Sequence, residues 1–207
     1  MFACRKMTSR SAEKSSLRRT VIIVALLNLG YFGVEFGVAL AIGSVSLFAD
    51  SVDFLEDTSL NLLIALGLGW SATNRARLGM ALAGILLIPS LSTVWMAWQK
   101  FLLPVPPAAI PLTLVGLGSL VVNVSSAFLL ARFRTHSGSL TRAAFLSAPN
   151  DALANIAIIV AGFITAATKS GWPDLLVGLG ILSINADAAR KVWRAAREEH
   201  ATARAVS

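Results

Sequence analysis

The sequence has few of the residues on which disulfide-stabilised proteins and many enzymes depend: one cysteine, Cys4, and two histidines, His136 and His200. A single cysteine excludes a disulfide or a cluster of thiolate ligands within one chain. Charged residues make up only 14% of the 207 positions, whereas 56% are hydrophobic and the mean hydropathy is +0.71. This composition excludes an ordinary soluble domain and is typical of a membrane protein.

Apolar windows of about 20 residues, the length that crosses a bilayer as a helix, occur repeatedly along the chain. They predict an all-α membrane protein with six transmembrane helices. The predicted spans are 20–42, 45–70, 78–98, 110–130, 142–167 and 173–192. Only two residues separate the first two spans, so these should be antiparallel neighbours.

The basic residues are distributed asymmetrically about these spans. Of the 18 Lys and Arg residues, all but Lys100 and Lys169 lie at the termini or beside the second and fourth connections. The positive-inside rule then places both termini in the cytoplasm. The predicted location of the protein is the plasma membrane. The net charge of +7 is therefore a topology signal rather than a sign of nucleic-acid binding. The predicted organisation is a basic tail (1–19), a six-helix domain (20–193) and a short tail (194–207).

Four carboxylates, Asp50, Asp53, Glu56 and Asp57, occur close together inside the apolar run 45–70. At about 100° per helical residue, the three aspartates share one face and Glu56 lies beside them. An ionised Asp at the centre of a membrane helix costs roughly 2.5–3.5 kcal/mol, so protons, a metal or partner groups should neutralise the stripe. A solvated acidic face on a soluble helix is the alternative, which the apolar flanks disfavour.

Apart from Arg142 at its first position, Asp151 is the only charged residue of the fifth predicted span. Counted from the cytoplasmic end at about 1.5 Å per residue, it reaches roughly the depth of the second-span aspartates, which enter from outside. The two helices can therefore share one site. Ser147 and Asn155, one turn to either side, could supply oxygen ligands or pack by hydrogen bonds, and Asn150 is a further neutral candidate.

Glu35 in the first span has two interpretations. It shares a helix face with Asn28 and Tyr31. It could form an accessory metal or proton site, or it could accept a packing hydrogen bond from another span. Nearby glycines that would permit close helix approach favour packing; these are Gly30, Gly33 and Gly37.

The residues from Gly43 to Asp50 (GSVSLFAD), followed by Asp53 and Asp57, resemble the second-span motif of the cation diffusion facilitator family. Residues 144–153 (AFLSAPNDAL) are similar to that family's fifth-span motif, and residues 173–179 (PDLLVGL) to the start of its sixth span. The resemblance covers about residues 20–193. It implies divalent metal efflux driven by inward proton flow, without a cofactor and without enzymatic chemistry.

The resemblance also implies a metal site formed by Asp53, Asp57, Asp151 and Ser147. The accessory candidates are Asp50, Glu56, Glu35 and Asn150. Ser147 is a departure, because the family usually has His or Asp there. The family's usual cytoplasmic C-terminal domain is also missing, which suggests a truncated member whose homodimer would form through the membrane helices.

An all-oxygen site would suit Mn²⁺, Fe²⁺ or Co²⁺, and Zn²⁺ is compatible with carboxylates. The expected partners are therefore metal ions, protons, the lipid bilayer and a second copy of the chain. Ser147 also supports a different class of function, a non-transporting homologue that acts as a structural or regulatory membrane subunit. A membrane enzyme has little support, because no histidine or nucleophile–base pair lies within the predicted spans.

Overall fold

The computed structural model describes residues 2–67, 88–131, 133 and 139–186, with the backbone alone for 2–13, 67 and 139–149. Within these ranges the chain forms helices and contains no strand. The helices are α1 (Phe2–Ile42), α2 (Val45–Gly67), α3 (88–102), α4 (Ala109–Ala131), α5 (Ser139–Thr168) and α6 (Trp172–Ala186).

Among the described residues, three helical segments are long and apolar enough to cross a membrane: Lys14–Ile42, Ala109–Ala131 and Asn150–Thr168. α2 has a similar length but carries four carboxylates, and the described part of α6 is shorter. The all-helical membrane architecture is therefore confirmed. The count of six spans stays a prediction, since residues 78–87 and 187–192 of the predicted spans lie outside the described ranges. The cytoplasmic location of both termini also stays a prediction.

Several helices extend beyond the predicted spans. α1 runs without a break from Phe2, so residues 2–19 of the predicted tail belong to the same helix as the first span. α3 continues to residue 102, beyond the predicted end at Trp98, because Lys100 is buried within the fold instead of facing a loop. α5 begins at Ser139, inside the predicted fourth connection.

The turn between α1 and α2 makes them antiparallel neighbours, as predicted. Gly43 has a φ of +64°, a left-handed conformation that glycine adopts without strain, and the Ser44 N–H donates to the Ala39 carbonyl over 3.0 Å. Ser44 Oγ then accepts the Leu47 N–H over 3.2 Å and caps the start of α2. This cap places the acidic stretch of α2 directly beside α1.

The helices enclose two apolar clusters at different levels of α1. One contains Val21 and Val24 with Ile64 of α2, and the other contains Ala39 with Leu47 and further side chains from α4, α5 and α6. Between them, α1 packs against α2 and α4, and α5 packs against α2 and α4. Three polar residues of α1 therefore lie between the two clusters: Asn28, Tyr31 and Glu35.

Outward faces of the helices carry large apolar side chains. Phe128 is 81% exposed, and Leu153 and Phe163 are each 64% exposed. Such surfaces suit lipid. Gly30, Gly33 and Gly37 also lie on open faces of the described structure, because a Cβ at each would have no neighbour within 4 Å. The expectation that these glycines permit close packing was therefore wrong for the described helices.

Candidate cation site

The four carboxylates of α2 do not form one uniform stripe. Asp50 is fully buried, Asp53 and Asp57 are half-buried, and Glu56 is exposed. Their helical spacing is as predicted, but each side chain has a different environment because α2 contacts α1, α5 and α6 along different parts of its surface. Asp50 is therefore the buried residue of this stretch, Asp53 and Asp57 form a half-buried pair, and Glu56 lies apart from them.

Asp53 contacts α6 through its side chain. Its Oδ1 atom accepts a hydrogen bond from Asn185 Nδ2. Asn185 was not among the candidate site residues predicted from the sequence, so its contact with a predicted metal ligand was missed. The only sequence signal was an amide near the predicted cytoplasmic end of a mostly apolar span. The contact holds the Asp53 carboxylate toward the interface between α2 and α6.

Asp57 is anchored differently. The Asn61 side chain donates to the Asp57 main-chain carbonyl over 2.8 Å, a bond within α2. The Asp57 carboxylate is left to interact with charge on α5, where Asp151 lies within electrostatic range of both Asp53 and Asp57. Asp53, Asp57 and Asp151 therefore lie within electrostatic range of one another, although the Asp53 carboxylate is turned toward α6.

These carboxylates do not enclose an ion as they stand. In the described part of the chain, no group of three His, Cys, Asp or Glu side chains is arranged to hold a metal. Binding there requires side-chain rotation. Asn150 is exposed, and the Ser147 side chain lies outside the described residues. Of the accessory candidates, Glu56 faces outward, whereas Glu35 and Asp50 belong to a separate buried network.

That network begins with Asp50. Its Oδ2 atom accepts a hydrogen bond of 2.7 Å from Asn155 Nδ2 on α5. Asn155 Oδ1 in turn accepts one of 3.0 Å from Asn123 Nδ2 on α4. Asn155 therefore acts as a helix-packing residue, one of the two roles that the sequence had left open.

Glu35 enters the same region from α1. Its Oε1 atom accepts a hydrogen bond of 2.7 Å from Ser119 Oγ on α4. Tyr31, one turn earlier, donates from its hydroxyl to the Val115 carbonyl over 2.6 Å. One oxygen of Glu35 thus accepts a packing hydrogen bond from another helix, which is one of the two roles predicted for this residue. The other, Oε2, is buried without a hydrogen-bond partner, as is Asp50 Oδ1.

A second polar cluster, missed by the sequence analysis, joins α2, α3 and α6 at their shared end. Asp174, which entered the sequence analysis only as part of the segment 173–179, is fully buried and accepts hydrogen bonds from the turn that starts α2. The donors are Ser44 Oγ (2.6 Å), Val45 N (2.9 Å), Ser46 N (3.2 Å) and Ser46 Oγ (2.6 Å). We call Asp174 and these donors, together with Lys100, the junction.

Lys100 completes the junction. Its Nζ atom lies 3.5 Å from Asp174 Oδ2 and donates a hydrogen bond of 2.6 Å to the Gly43 carbonyl. Burial lowers the pKa of Lys100, and the nearby Asp174 carboxylate offsets this only in part. One sequence feature could have predicted this ion pair: Lys100 and Asp174 lie in or next to connections on the same predicted side of the membrane.

Aromatic residues surround this end of the bundle. Phe101 stacks on Trp98, with ring centroids 6.0 Å apart, and meets Trp172 edge-on at 5.9 Å. Trp95 and Trp98 are 65% and 56% exposed. Aromatic rings at one end of an apolar bundle are typical of a membrane interface.

Residues 21–199 match the family model described as the cation efflux transmembrane domain. The match extends over most of the chain. It includes the carboxylates of α2, Asp151 of α5 and both members of the Lys100–Asp174 pair.

Proposed function

Because the chain belongs to the cation efflux family, whose members transport cations across membranes, we propose that it exports a divalent metal cation in exchange for protons. The observation that supports this proposal is that Asp151 on α5 lies within electrostatic range of Asp53 and Asp57 on α2, and that these two helices pack together. Ionised carboxylates within apolar helices are costly, and a transported cation that exchanges with protons is one way to neutralise them. The protein is accordingly a transporter and not an enzyme.

The chemistry of these residues indicates the class of ion. Carboxylates, with Ser147 and an amide such as Asn150 as neutral oxygen donors, suit Mn²⁺, Fe²⁺ and Co²⁺, while Zn²⁺ also accepts carboxylate ligands. Asn155 is less suited to this role, because both ends of its amide already bond to Asp50 and Asn123. The metal is the substrate, and no separate cofactor enters the proposal.

Proton exchange follows from the same ligands. A carboxylate must lose its proton before it binds a metal, so ion binding at Asp53, Asp57 and Asp151 releases protons, and ion release allows them to return. Protonation also neutralises the empty site, which makes reorientation within the bilayer less costly. Alternating exposure of one site to the two faces would then couple the two fluxes.

The proposed setting is the plasma membrane, with both termini inside and a homodimer formed through the membrane helices. The charge asymmetry supports this orientation, since Lys100 and Lys169 are the cations assigned to the outer side. A cysteine introduced at position 136 should resist an impermeant thiol reagent added outside intact cells, whereas one introduced at Lys169 should react. Labelling only at position 136 would contradict the orientation.

The second candidate function is a membrane subunit that does not transport. It is favoured by Ser147, which replaces a strong ligand, and by the lack of a preformed three-ligand cage among the described side chains. Transport measurements distinguish the two candidates.

The decisive experiment measures metal uptake and proton flux together in proteoliposomes that contain the full chain. We expect Asp53→Ala, Asp57→Ala and Asp151→Ala each to abolish both fluxes while the protein stays folded in the membrane. Ser183→Ala is the matched control, because its exposed hydroxyl bonds only within α6. Wild-type rates in all three aspartate variants would exclude the shared site, and no uptake by the wild type would favour the non-transporting subunit.

A further inference from the structure

Glu35 and Asp50 form a buried carboxyl pair that the proposed metal site does not use. Both residues are 0% exposed. Each has one oxygen engaged in a hydrogen bond of 2.7 Å, from Ser119 and from Asn155 respectively. The other oxygen of each, Glu35 Oε2 and Asp50 Oδ1, has no partner. Two buried acceptor atoms without donors are costly unless something is bound between them.

Glu35 and Asp50 lie at the same level of the packed helices α1 and α2, because the Tyr31 ring contacts Phe54 and the Phe36 ring contacts Phe48, with centroids 5.2 and 5.3 Å apart. Their carboxyl groups are therefore placed to share a hydrogen bond. Two ionised carboxylates offer only acceptors, so they repel at this separation and cannot form the bond. One proton changes this, because the protonated group donates to the ionised one through a charge-assisted hydrogen bond. A single proton therefore removes the repulsion and provides the missing donor.

No described cation neutralises this pair. α4 contains no charged residue, and the charged groups that face the pair from the other helices are acidic: Asp53 on α2 and Asp151 on α5. Tyr31 on α1 is neutral and donates its hydroxyl proton to a main-chain carbonyl. Lys100, on α3, is engaged at the junction by Asp174 and the Gly43 carbonyl.

We propose that Glu35 and Asp50 bind one proton between them, forming a proton site separate from Asp53, Asp57 and Asp151. The proton adds to one carboxylate oxygen and is hydrogen-bonded by the other group, so no other bond is made or broken. The pair then carries one negative charge in place of two. Ser119 and Asn155 hold the outer oxygens and leave the unpartnered oxygens to share the proton.

The pair is also connected to the metal site through α5. Asn155, which donates to Asp50, lies one helical turn from Asp151. A displacement of α5 when Asp151 binds an ion would therefore change the hydrogen bond to Asp50. Coupling of the shared proton to metal movement rests on the proposed function, whereas the shared proton itself does not.

Infrared difference spectroscopy tests the pair directly, since a protonated carboxyl group has a carbonyl stretch that a carboxylate lacks. The background is the full chain with Asp53, Asp57 and Asp151 all replaced by Asn, which removes the signals of the metal site. Glu35→Gln and Asp50→Asn are then added singly, each placing a permanent amide donor where the proton would lie. Size-exclusion chromatography and circular dichroism check that each variant is folded.

We expect one carboxylic-acid band near neutral pH that either single substitution removes completely, because each leaves an ionised partner bonded to an amide. Two other results would overturn the proposal. A band that each variant halves would mean two independent protons, and no band dependent on either residue would mean that both groups are ionised. Binding of one Mn²⁺ or Zn²⁺ to the triple-Asn background that Glu35→Gln abolishes would identify a second metal site instead.

Transport separates failure of this inference from failure of the proposed function. In otherwise native protein, we expect Glu35→Gln to flatten the dependence of metal uptake on pH while metal still binds at the three aspartates. An unchanged pH profile would contradict the coupling between the shared proton and metal movement. If wild-type protein transports no metal at all, the infrared result still decides whether the pair holds a proton.

Discussion

Replacing Asp174 with Asn should destabilise the protein strongly, because the junction is built around a negative charge. The carboxylate accepts two main-chain N–H groups and two hydroxyls and pairs with Lys100. An amide substitutes a donor for one acceptor atom, so at least one of these donors then faces another donor. It also leaves the Lys100 ammonium buried without its counter-ion.

The expected loss of folding stability follows from these contacts. Removing one member of a buried ion pair typically costs about 3–5 kcal/mol. Lys100→Met should cost less, about 1–3 kcal/mol, because Asp174 keeps its four other donors and the chief loss is the bond to the Gly43 carbonyl. In the double variant the penalty should be smaller than the sum of the two, since neither charge is left unpaired.

The assay is equilibrium unfolding in detergent micelles for the wild type, both single variants and the double variant. Lys169→Met is the control, because Lys169 is an exposed lysine assigned to the same side of the membrane. Additive effects in the double variant would refute the buried ion pair. A loss from Lys169→Met as large as that from Lys100→Met would also refute it.

The pKa of Lys100 adds a prediction about pH. Burial lowers this pKa in the folded protein, whereas the unfolded chain keeps the ordinary value of about 10.4. Between the two values the unfolded state binds more protons, so the contribution of Lys100 to stability rises with pH in that window. The stability of the wild type relative to Lys100→Met should therefore increase as pH rises toward about 10.4; a decrease would contradict the assignment.

The remaining predictions concern the metal site and the packing of α6. Ser147→His should raise zinc affinity more than manganese affinity, with the gain fading below the imidazole pKa; calorimetry at two pH values would place Ser147 outside the ligand shell if neither affinity changed. Asn185→Leu removes the donor to Asp53 and should weaken metal binding several-fold without unfolding, whereas unchanged affinity would make the contact incidental to the site. Gly178→Ala places a Cβ 2.7 Å from Val45 Cγ1 and should destabilise by about 1–3 kcal/mol, whereas Gly180→Ala, whose Cβ meets nothing within 4 Å, should not.

Periodicity and composition were enough to predict helices, their approximate ends and the membrane environment. These properties depend on the local run of apolar residues, which the chain carries in every conformation. The spacing of Asp50, Asp53 and Asp57 likewise placed them on one helix face. Spacing could not reveal that Asp50 turns into the bundle while Glu56 faces outward, because that depends on which helices pack beside α2.

The tertiary structure alone decided the partners of the buried polar groups. Asp50 bonds to Asn155, 105 residues away, and Glu35 to Ser119, 84 residues away. The sequence identified Glu35 and Asp50 as separate candidates on two spans, without indicating that they meet.

The junction shows the same division. Asp174 carries the ordinary signature of a helix start, and its sequence position predicts bonding within its own first turn. It bonds instead to the beginning of α2, because the absence of a side chain on Gly178 lets α6 approach that turn closely. A buried carboxylate bonds to whichever donors the fold brings within reach, and which donors those are depends on helix crossings that no local pattern encodes.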